Sequence, residues 1–310
     1  MIEKGSLRLV RLFGVTVFVH WTWALVAVLE LRFRQNAYGA QFWNVAEYLT
    51  LFVLVLLHEF GHALACRSVG GKAERIMLWP LGGVAFVSPP PRAGALLWSI
   101  AAGPLVNVVL IPLTVAGLFA VSIYYEGGAT TEPTDLWHYA FAVTVMNVVL
   151  LAFNLLPIYP LDGGQILRAA LWFFVGPYAS LSIAASIGLV ASLAGIGVAL
   201  WLGDWWLVVM AIFAALQSRN GLAVARRMSE LARQPRHPNA RCPACHEPPP
   251  LGPLWSCACG ERFDTFLSGA MCPRCQRVFE QTHCPFCGRS VPLAAWLTPE
   301  PAGADAAVVE

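Results

Sequence analysis

Charge is scarce in this chain. Only 12% of its 310 residues are Asp, Glu, Lys or Arg, about half the share of an ordinary soluble domain. No Lys or Arg stands between Arg92 and Arg168, and none between Arg168 and Arg219. The formal net charge is +2, too small to mark a nucleic-acid binder or an enzyme of acidic substrates. Cysteine is missing from most of the chain as well. Cys66 stands alone before Cys242, and the other eight crowd between Cys242 and Cys287. No small-residue cleavage site follows the basic start with Lys4, Arg8 and Arg11. The apolar segment beyond it therefore reads as an uncleaved first span and not as a signal peptide. No internal repeat is visible.

Hydrophobic sequence fills the space that charge leaves, with 57% apolar residues and a mean hydropathy of +0.61. The expected fold class is an all-α polytopic membrane protein of about six transmembrane helices with a re-entrant hairpin, plus a small C-terminal zinc-ribbon domain. Spans are expected near residues 15–31, 44–66, 93–125, 137–156, 179–202 and 205–217. Residues 8–19 are β-branched and partly alternating, which predicts a short strand leading into the first span. Residues 76–87 are apolar but too short to cross a bilayer as a helix, and Pro80, Gly82 and Gly83 would break one. A re-entrant hairpin fits that stretch, with an interfacial loop as the alternative. A six-span count puts Lys4, Arg8, Arg11, Arg67, Lys72, Arg75, Arg92 and Arg168 on one side of the membrane, with Arg32 and Arg34 as exceptions. By the positive-inside rule that side, which also holds both termini, is the cytoplasmic side of a cell membrane.

One stretch puts costly groups into this setting. His58-Glu59-Phe60-Gly61-His62 ends the second span. HExxH on a helix places two imidazoles at i and i+4 on one face, where they can hold one zinc ion, and Glu59 between them can serve as general base. Ionisable side chains inside a span are expensive, so their presence there points to function. The bland alternative is a chance match with both His satisfied in a core. A catalytic zinc takes three protein ligands. The acidic residue beside a later span on the same side is Asp162, which follows the span-ending Pro157 and Pro160 and precedes the flexible Gly163-Gly164. Its plainer role would be to cap a short helix over residues 165–175.

HEFGH together with Asn154-Leu155-Leu156-Pro157-Ile158-Tyr159-Pro160-Leu161-Asp162-Gly163-Gly164 resembles the site-2 protease family of intramembrane zinc metalloproteases, whose signatures are HExxH and NxxPxxPLDGG. Gly103-Pro104-Leu105-Val106-Asn107, Val19-His20-Trp21-Thr22 and Pro80-Leu81-Gly82-Gly83-Val84 resemble it too. The six-span layout is most like the bacterial branch that includes the sporulation-factor protease. The resemblance covers about residues 5–217. It implies an endopeptidase acting on peptide bonds in or near transmembrane segments of membrane-protein substrates. It implies His58, His62 and Asp162 as ligands of a catalytic zinc and Glu59 as the base. It also implies substrate contact for Asn154 and Asn107, each of which could instead hold two spans together. His20 could line the site or bond a neighbouring helix. The paired CBS modules that often follow the last span in this family are not found here, so nucleotide regulation is not implied. The competing classes are a non-catalytic scaffold, which has no need of Glu59, and a zinc transporter, which leaves the NxxPxxPLDGG spacing unexplained.

Beyond Gln217 the chain turns polar and basic, with Arg219, Arg226, Arg227, Arg233, Arg236 and Arg241 against Glu230, a juxtamembrane linker suited to an anionic leaflet. Then come Cys242-Pro243-Ala244-Cys245, Cys257-Ala258-Cys259, Cys272-Pro273-Arg274-Cys275 and Cys284-Pro285-Phe286-Cys287. Four such knuckles signal two structural four-cysteine zinc sites, and a reducing cytoplasm argues against disulfides. Sequential pairing is expected, the first four cysteines in one site and the last four in the other, with a crossed arrangement left open. Cys257-Ala258-Cys259 departs from the CxxC spacing. Arg262, Arg274, Arg277 and Arg289 are mostly offset by Glu261, Asp264 and Glu280, which favours a cytoplasmic protein docking on the ribbons over nucleic acid. Cys66 reads as an apolar packing residue. The expected domains are a membrane-embedded metalloprotease domain over 1–217, a basic linker over 218–240, a double zinc ribbon over 241–291 and a disordered tail over 292–310. Zinc is the expected cofactor, one ion catalytic and two structural; the oligomeric state stays open.

Overall fold

The computed structural model describes residues 5–34, 36–79, 82–126 and 134–297. Lys4, Pro80, Leu81, Glu132 and the part of the expected tail beyond Leu297 lie outside the described residues. The chain divides into two units, Met1–Ala225 and Arg226–Glu310.

The first unit is not all helix, which corrects the expected fold class. Strands β1 (Ser6–Leu12) and β2 (Val15–His20) form a hairpin. Its two-residue turn puts Phe13 and Gly14 at φ +48° and +78°, the left-handed pair that matches the twist of the flanking strands. Helices α1 (Thr22–Phe33) and α2 (Gln41–Ser68) follow, then β3 (Lys72–Trp79) and β4 (Gly82–Ser88). The sheet order is β1-β2-β3-β4, with β2 and β3 parallel and the other neighbours antiparallel. The two helices form the crossover that a parallel pair needs. The apolar stretch near residues 76–87 thus becomes the β3–β4 hairpin, with β4 at a sheet edge.

Alternation along the strands seats this sheet. Val15 and Val17 of β2 and Ile76 and Leu78 of β3 are fully buried, in one cluster with Val55, Phe60, Ala63 and Cys66 of α2. The sheet therefore covers the C-terminal half of α2, the half that carries HEFGH.

The first expected span needs correction too. Its first residues are strand, and the helical part, α1, has only 12 residues. At 1.5 Å per residue that is about 18 Å, against roughly 30 Å for a hydrocarbon core. Val15, Thr16, Val17 and Val19 are stiff, β-branched residues that pair well in a sheet and open a helix poorly. Among the described residues five helices, not six, are long and apolar enough to cross a membrane. These are α2, α3 (Ala93–Glu126), α4 (Asp135–Asn154), α5 (Asp162–Leu202) and α6 (Trp205–Arg233). Arg34, one of the two exceptions to the charge count, lies just past α1 and is neutralised. Its guanidinium pairs with the buried Glu47 carboxylate, which also accepts from the Tyr38 hydroxyl at 2.5 Å.

Local chemistry sets the later boundaries. Thr134 caps α4, its hydroxyl accepting from the Trp137 N–H. α5 is broken at Gly176 (φ +81°), before Pro177, which separates a short helix from the longer apolar stretch. Gly203 (φ +70°) ends α5, and the Asp204 carboxylate accepts from the N–H groups of Trp206 and Leu207 to start α6. α6 then runs to Arg233 as one helix, through most of the stretch expected as a linker.

The second unit is built from the cysteine knuckles and two minimal hairpins, β5–β6 (Trp255–Ser256, Arg262–Phe263) and β7–β8 (Thr282–His283, Ser290–Val291). His237 is buried against Asp264 at 2.9 Å. Burial opposes the Asp264 charge, but the Gly252 N–H and the His237 imidazole hold its carboxyl below the usual carboxylate range. Residues 292–297, expected in the tail, belong to this fold. Leu293–Ala295 make a 3-10 turn, and the fully buried Trp296 packs with Cys242 and Cys284.

Candidate active site and metal centres

Three helices bring the predicted ligands together. His58 and His62 share one face of α2, as their spacing requires, and both are buried. α3 passes directly against them. An ideal Cβ on its Gly103 would lie 2.3 Å from His62 Cε1 and Nε2 and 2.9 Å from His58 Nε2, so only glycine permits this approach. Gly61 does the same in reverse, where a Cβ would meet the Ala102 carbonyl at 2.6 Å. Asp162 arrives at the first residue of α5, after a loop packed so tightly that a Cβ on Gly163 would stand 2.3 Å from the Leu155 carbonyl. Its carboxylate does not cap the helix; Oδ2 lies 2.9 Å from His58 Nε2 and 3.2 Å from His62 Nε2.

The partners behind the imidazoles fix their tautomers. Asn107 is fully buried; its Nδ2 donates to Asn147 Oδ1 at 2.7 Å, and Asn147 Nδ2 donates back to the Asn107 carbonyl at 3.2 Å. Asn107 Oδ1 is thereby turned to accept from His58 Nδ1–H at 2.6 Å. The Ser99 carbonyl accepts from His62 Nδ1–H at 2.9 Å. With Nδ1 so engaged, each ring turns its Nε2 inward, the two 3.2 Å apart beside a carboxylate oxygen. Three electron-rich atoms meeting in an apolar interior call for a cation among them, so the donor set fits a divalent metal. Zinc is one that His and carboxylate ligands suit.

Glu59 is buried on the same turn of α2, against β4, where a Cβ on Gly83 would stand 2.3 Å from its Cγ and 2.5 Å from its Cδ. Of the two asparagines considered for substrate contact or for holding two spans together, Asn107 is engaged behind His58 and bonded to Asn147 of α4. Asn154 is the last residue of α4, half-buried. His20 ends β2, bonded to Thr22 and stacked on Trp79 with ring centroids 5.1 Å apart. Sequence reasoning missed Asn147 and Ser99. An Asn inside the apolar stretch over residues 145–151 of α4 was a readable signal for the first. Ser99 acts through its backbone carbonyl and leaves no such trace.

The eight late cysteines form two further centres, with a pairing that corrects the sequential one. Cys242, Cys245, Cys284 and Cys287 make one, and Cys257, Cys259, Cys272 and Cys275 the other. Neighbouring Sγ atoms are 3.5–3.8 Å apart. That is too long for a disulfide and close to the edge of about 3.8 Å in a tetrahedron of sulfurs at about 2.3 Å from zinc. Each knuckle closes by one recurring turn. The N–H groups of His246, Gln276 and Gly288 donate to the carbonyls of Cys242, Cys272 and Cys284, and all three residues have positive φ. Gly260 does the same for Cys257 one residue sooner, which is how Cys257-Ala258-Cys259 manages with a shorter spacing.

The profile of peptidase family M50 matches residues 46–124 and 111–195. Over 185 residues the chain is 36% identical to a zinc metalloprotease of Methanocaldococcus jannaschii, covering 59% of this chain and 50% of that protein. Over 125 residues it is 31% identical to stage IV sporulation protein FB of Bacillus subtilis, covering 38% of each. The chain thus spans about half the length, or less, of these relatives. Among solved structures, the site-2 protease from Methanocaldococcus jannaschii is similar with a TM-score of 0.50 and 29% identity, over 70% of this chain and 95% of that one.

Proposed function

Because the chain belongs to peptidase family M50, we propose that it is an intramembrane zinc endopeptidase that cuts peptide bonds in or near transmembrane segments of membrane-protein substrates. The observation that carries this reading is the convergence of His58 and His62 Nε2 with Asp162 Oδ2, within 3.2 Å, beside a buried Glu59. His58, His62 and Asp162 hold the zinc. When bound there, zinc supplies Lewis acidity toward a scissile carbonyl and makes a water more acidic. Glu59 takes the proton from the attacking water and delivers it to the leaving nitrogen. Asn107 and the Ser99 carbonyl keep the two rings in the ligating tautomer. Burial keeps bulk water out and strengthens each of these interactions. The Cys-rich unit carries two structural zinc ions and docks a cytoplasmic protein.

A substrate helix hides its carbonyls in i→i−4 bonds, so the segment to be cut must unwind and find new backbone partners. The edge strand β4 supplies them by strand addition, next to Glu59, and Asn154 contacts the same segment. Val84→Pro should then lower cleavage with zinc content intact; unchanged cleavage would remove strand addition from the account. β2 and α1, in series, make a sixth crossing, which leaves both termini in the cytoplasm. The decisive test of the activity is Glu59→Gln in cells, with quantitative mapping of new termini in membrane proteins. Termini present in wild type should vanish in the variant. Identical termini would favour a scaffold or a metal carrier.

A further inference from the structure

Asp162 hangs on a short loop, and at the centre of that loop is Tyr159. Gly164 presses on its backbone from the start of α5, where a Cβ would stand 2.4 Å from Tyr159 N. Gly188, farther along α5, does the same at 2.7 Å. From α6 the fully buried Ser218 donates its hydroxyl proton to the Tyr159 carbonyl at 2.6 Å. One turn later Gly221 faces the ring, where a Cβ would lie 2.8 Å from Tyr159 Cε1. Ser218 and Gly221 are three residues apart, so one face of α6 meets both the backbone and the ring of Tyr159. Gly188, Ser218 and Gly221 lie outside both sequence signatures.

The segment from Tyr159 to Asp162 has little slack. Leu161 N–H donates to the Ile158 carbonyl at 2.8 Å, Gln165 N–H to the Leu161 carbonyl at 3.0 Å, and Gln165 Nε2 to the Pro160 carbonyl at 3.0 Å. A shift of Tyr159 is therefore handed on to Asp162 and not absorbed in between. We propose that Tyr159 is a positioning residue for the Asp162 carboxylate, seated in a socket made by Gly188, Ser218 and Gly221, so that α5 and α6 set how firmly the site holds its metal. The proposal rests on the reading of His58, His62 and Asp162 as zinc ligands.

The test uses the full chain in bilayer discs, with zinc at this site measured by chelator competition. The two cysteine centres in the same molecule serve as internal reference. Ser218→Ala and Gly221→Ala should each weaken metal binding at the His and Asp site about tenfold, the lower end of what the loss of an orienting partner causes. The cysteine centres and the unfolding midpoint of the metal-free chain should hold. Ser218→Thr, which keeps the hydroxyl, should restore affinity. In a Tyr159→Leu background, Gly221→Ala should add nothing, because the ring edge it strikes is gone. Unchanged affinity in both single variants would overturn the proposal. So would a loss that merely follows the unfolding midpoint, or full additivity in the Tyr159→Leu background. Asp162→Ala is the control: if it kept its zinc, the ligand assignment itself would fall and this proposal with it.

Discussion

Gly83→Ala and Gly103→Ala should separate the two halves of the site, one damaging the base and the other the ligands. A Cβ on Gly83 would come 2.3 Å from Glu59 Cγ and 2.5 Å from Cδ and Oε1. Ordinary contacts between such atoms are about 3.5–4.0 Å, so the Glu59 side chain must give way by about 1 Å or more. Misplacing a reacting group by about 1 Å costs on the order of 10²-fold. Glu59 is not a ligand, so zinc content should stay at the wild-type level while turnover falls by that factor. A Cβ on Gly103 instead strikes His62 Cε1 and Nε2 at 2.3 Å, and there zinc and turnover should go together. The assay is a set of full-length variants in bilayers, with metal content by mass spectrometry and cleavage by quantitative mapping of new termini. Circular dichroism checks that the helices persist. Wild-type turnover in Gly83→Ala would refute Glu59 as the base in this position. Wild-type zinc affinity in Gly103→Ala would refute the ligand set.

Two further outcomes follow from the partners of the ligands. Asn107→Leu removes the acceptor of His58 Nδ1–H and should lower zinc affinity by about 10- to 100-fold; an unchanged chelator titration would show that the ring needs no such support. The crossed cysteine pairing can be read by counting metal. Cys242→Ser with Cys284→Ser should cost one structural zinc, whereas Cys242→Ser with Cys257→Ser should cost two. The opposite result would restore the sequential pairing.

The parts of this protein that were legible in the sequence are those whose geometry is local. HExxH needs nothing but the helical period to put His58 and His62 on one face, and the proline and glycine residues around Asp162 announce a break that lets a carboxylate turn inward. α4 and α6 begin within two residues of expectation because Thr134 and Asp204 are ordinary caps. What failed were choices between equally apolar alternatives. Alternation over residues 8–19 predicts a strand, but nothing in the apolar run from Val15 to Leu31 marks where strand gives way to helix, or that the strand pairs with β3. The knuckles failed differently: each is a correct local turn, but which two share a metal is decided by how the hairpins between them fold. The Gln165–Val175 helix and the apolar stretch after it were expected with a break near Val175, and the positive φ of Gly176 supplies it.

The polar groups behind the two imidazoles form a hydrogen-bonded chain, and the place where it ends bears on what the metal does for the fold. Asn147 and Asn107 satisfy each other, Asn107 satisfies His58, and Ser99 satisfies His62. Each link spares a buried group a penalty of about 1–3 kcal/mol. The chain ends at the facing Nε2 atoms and Asp162, where no donor among these groups can answer all three. Those atoms are brought together by close backbone approach at Gly61, Gly103 and Gly163. The packing therefore works against the electrostatics at the ligands, and a bound cation removes the conflict. Stripping the metal should accordingly lower the unfolding temperature of the membrane unit as well as stop turnover, by an amount that grows with the logarithm of free zinc over its dissociation constant.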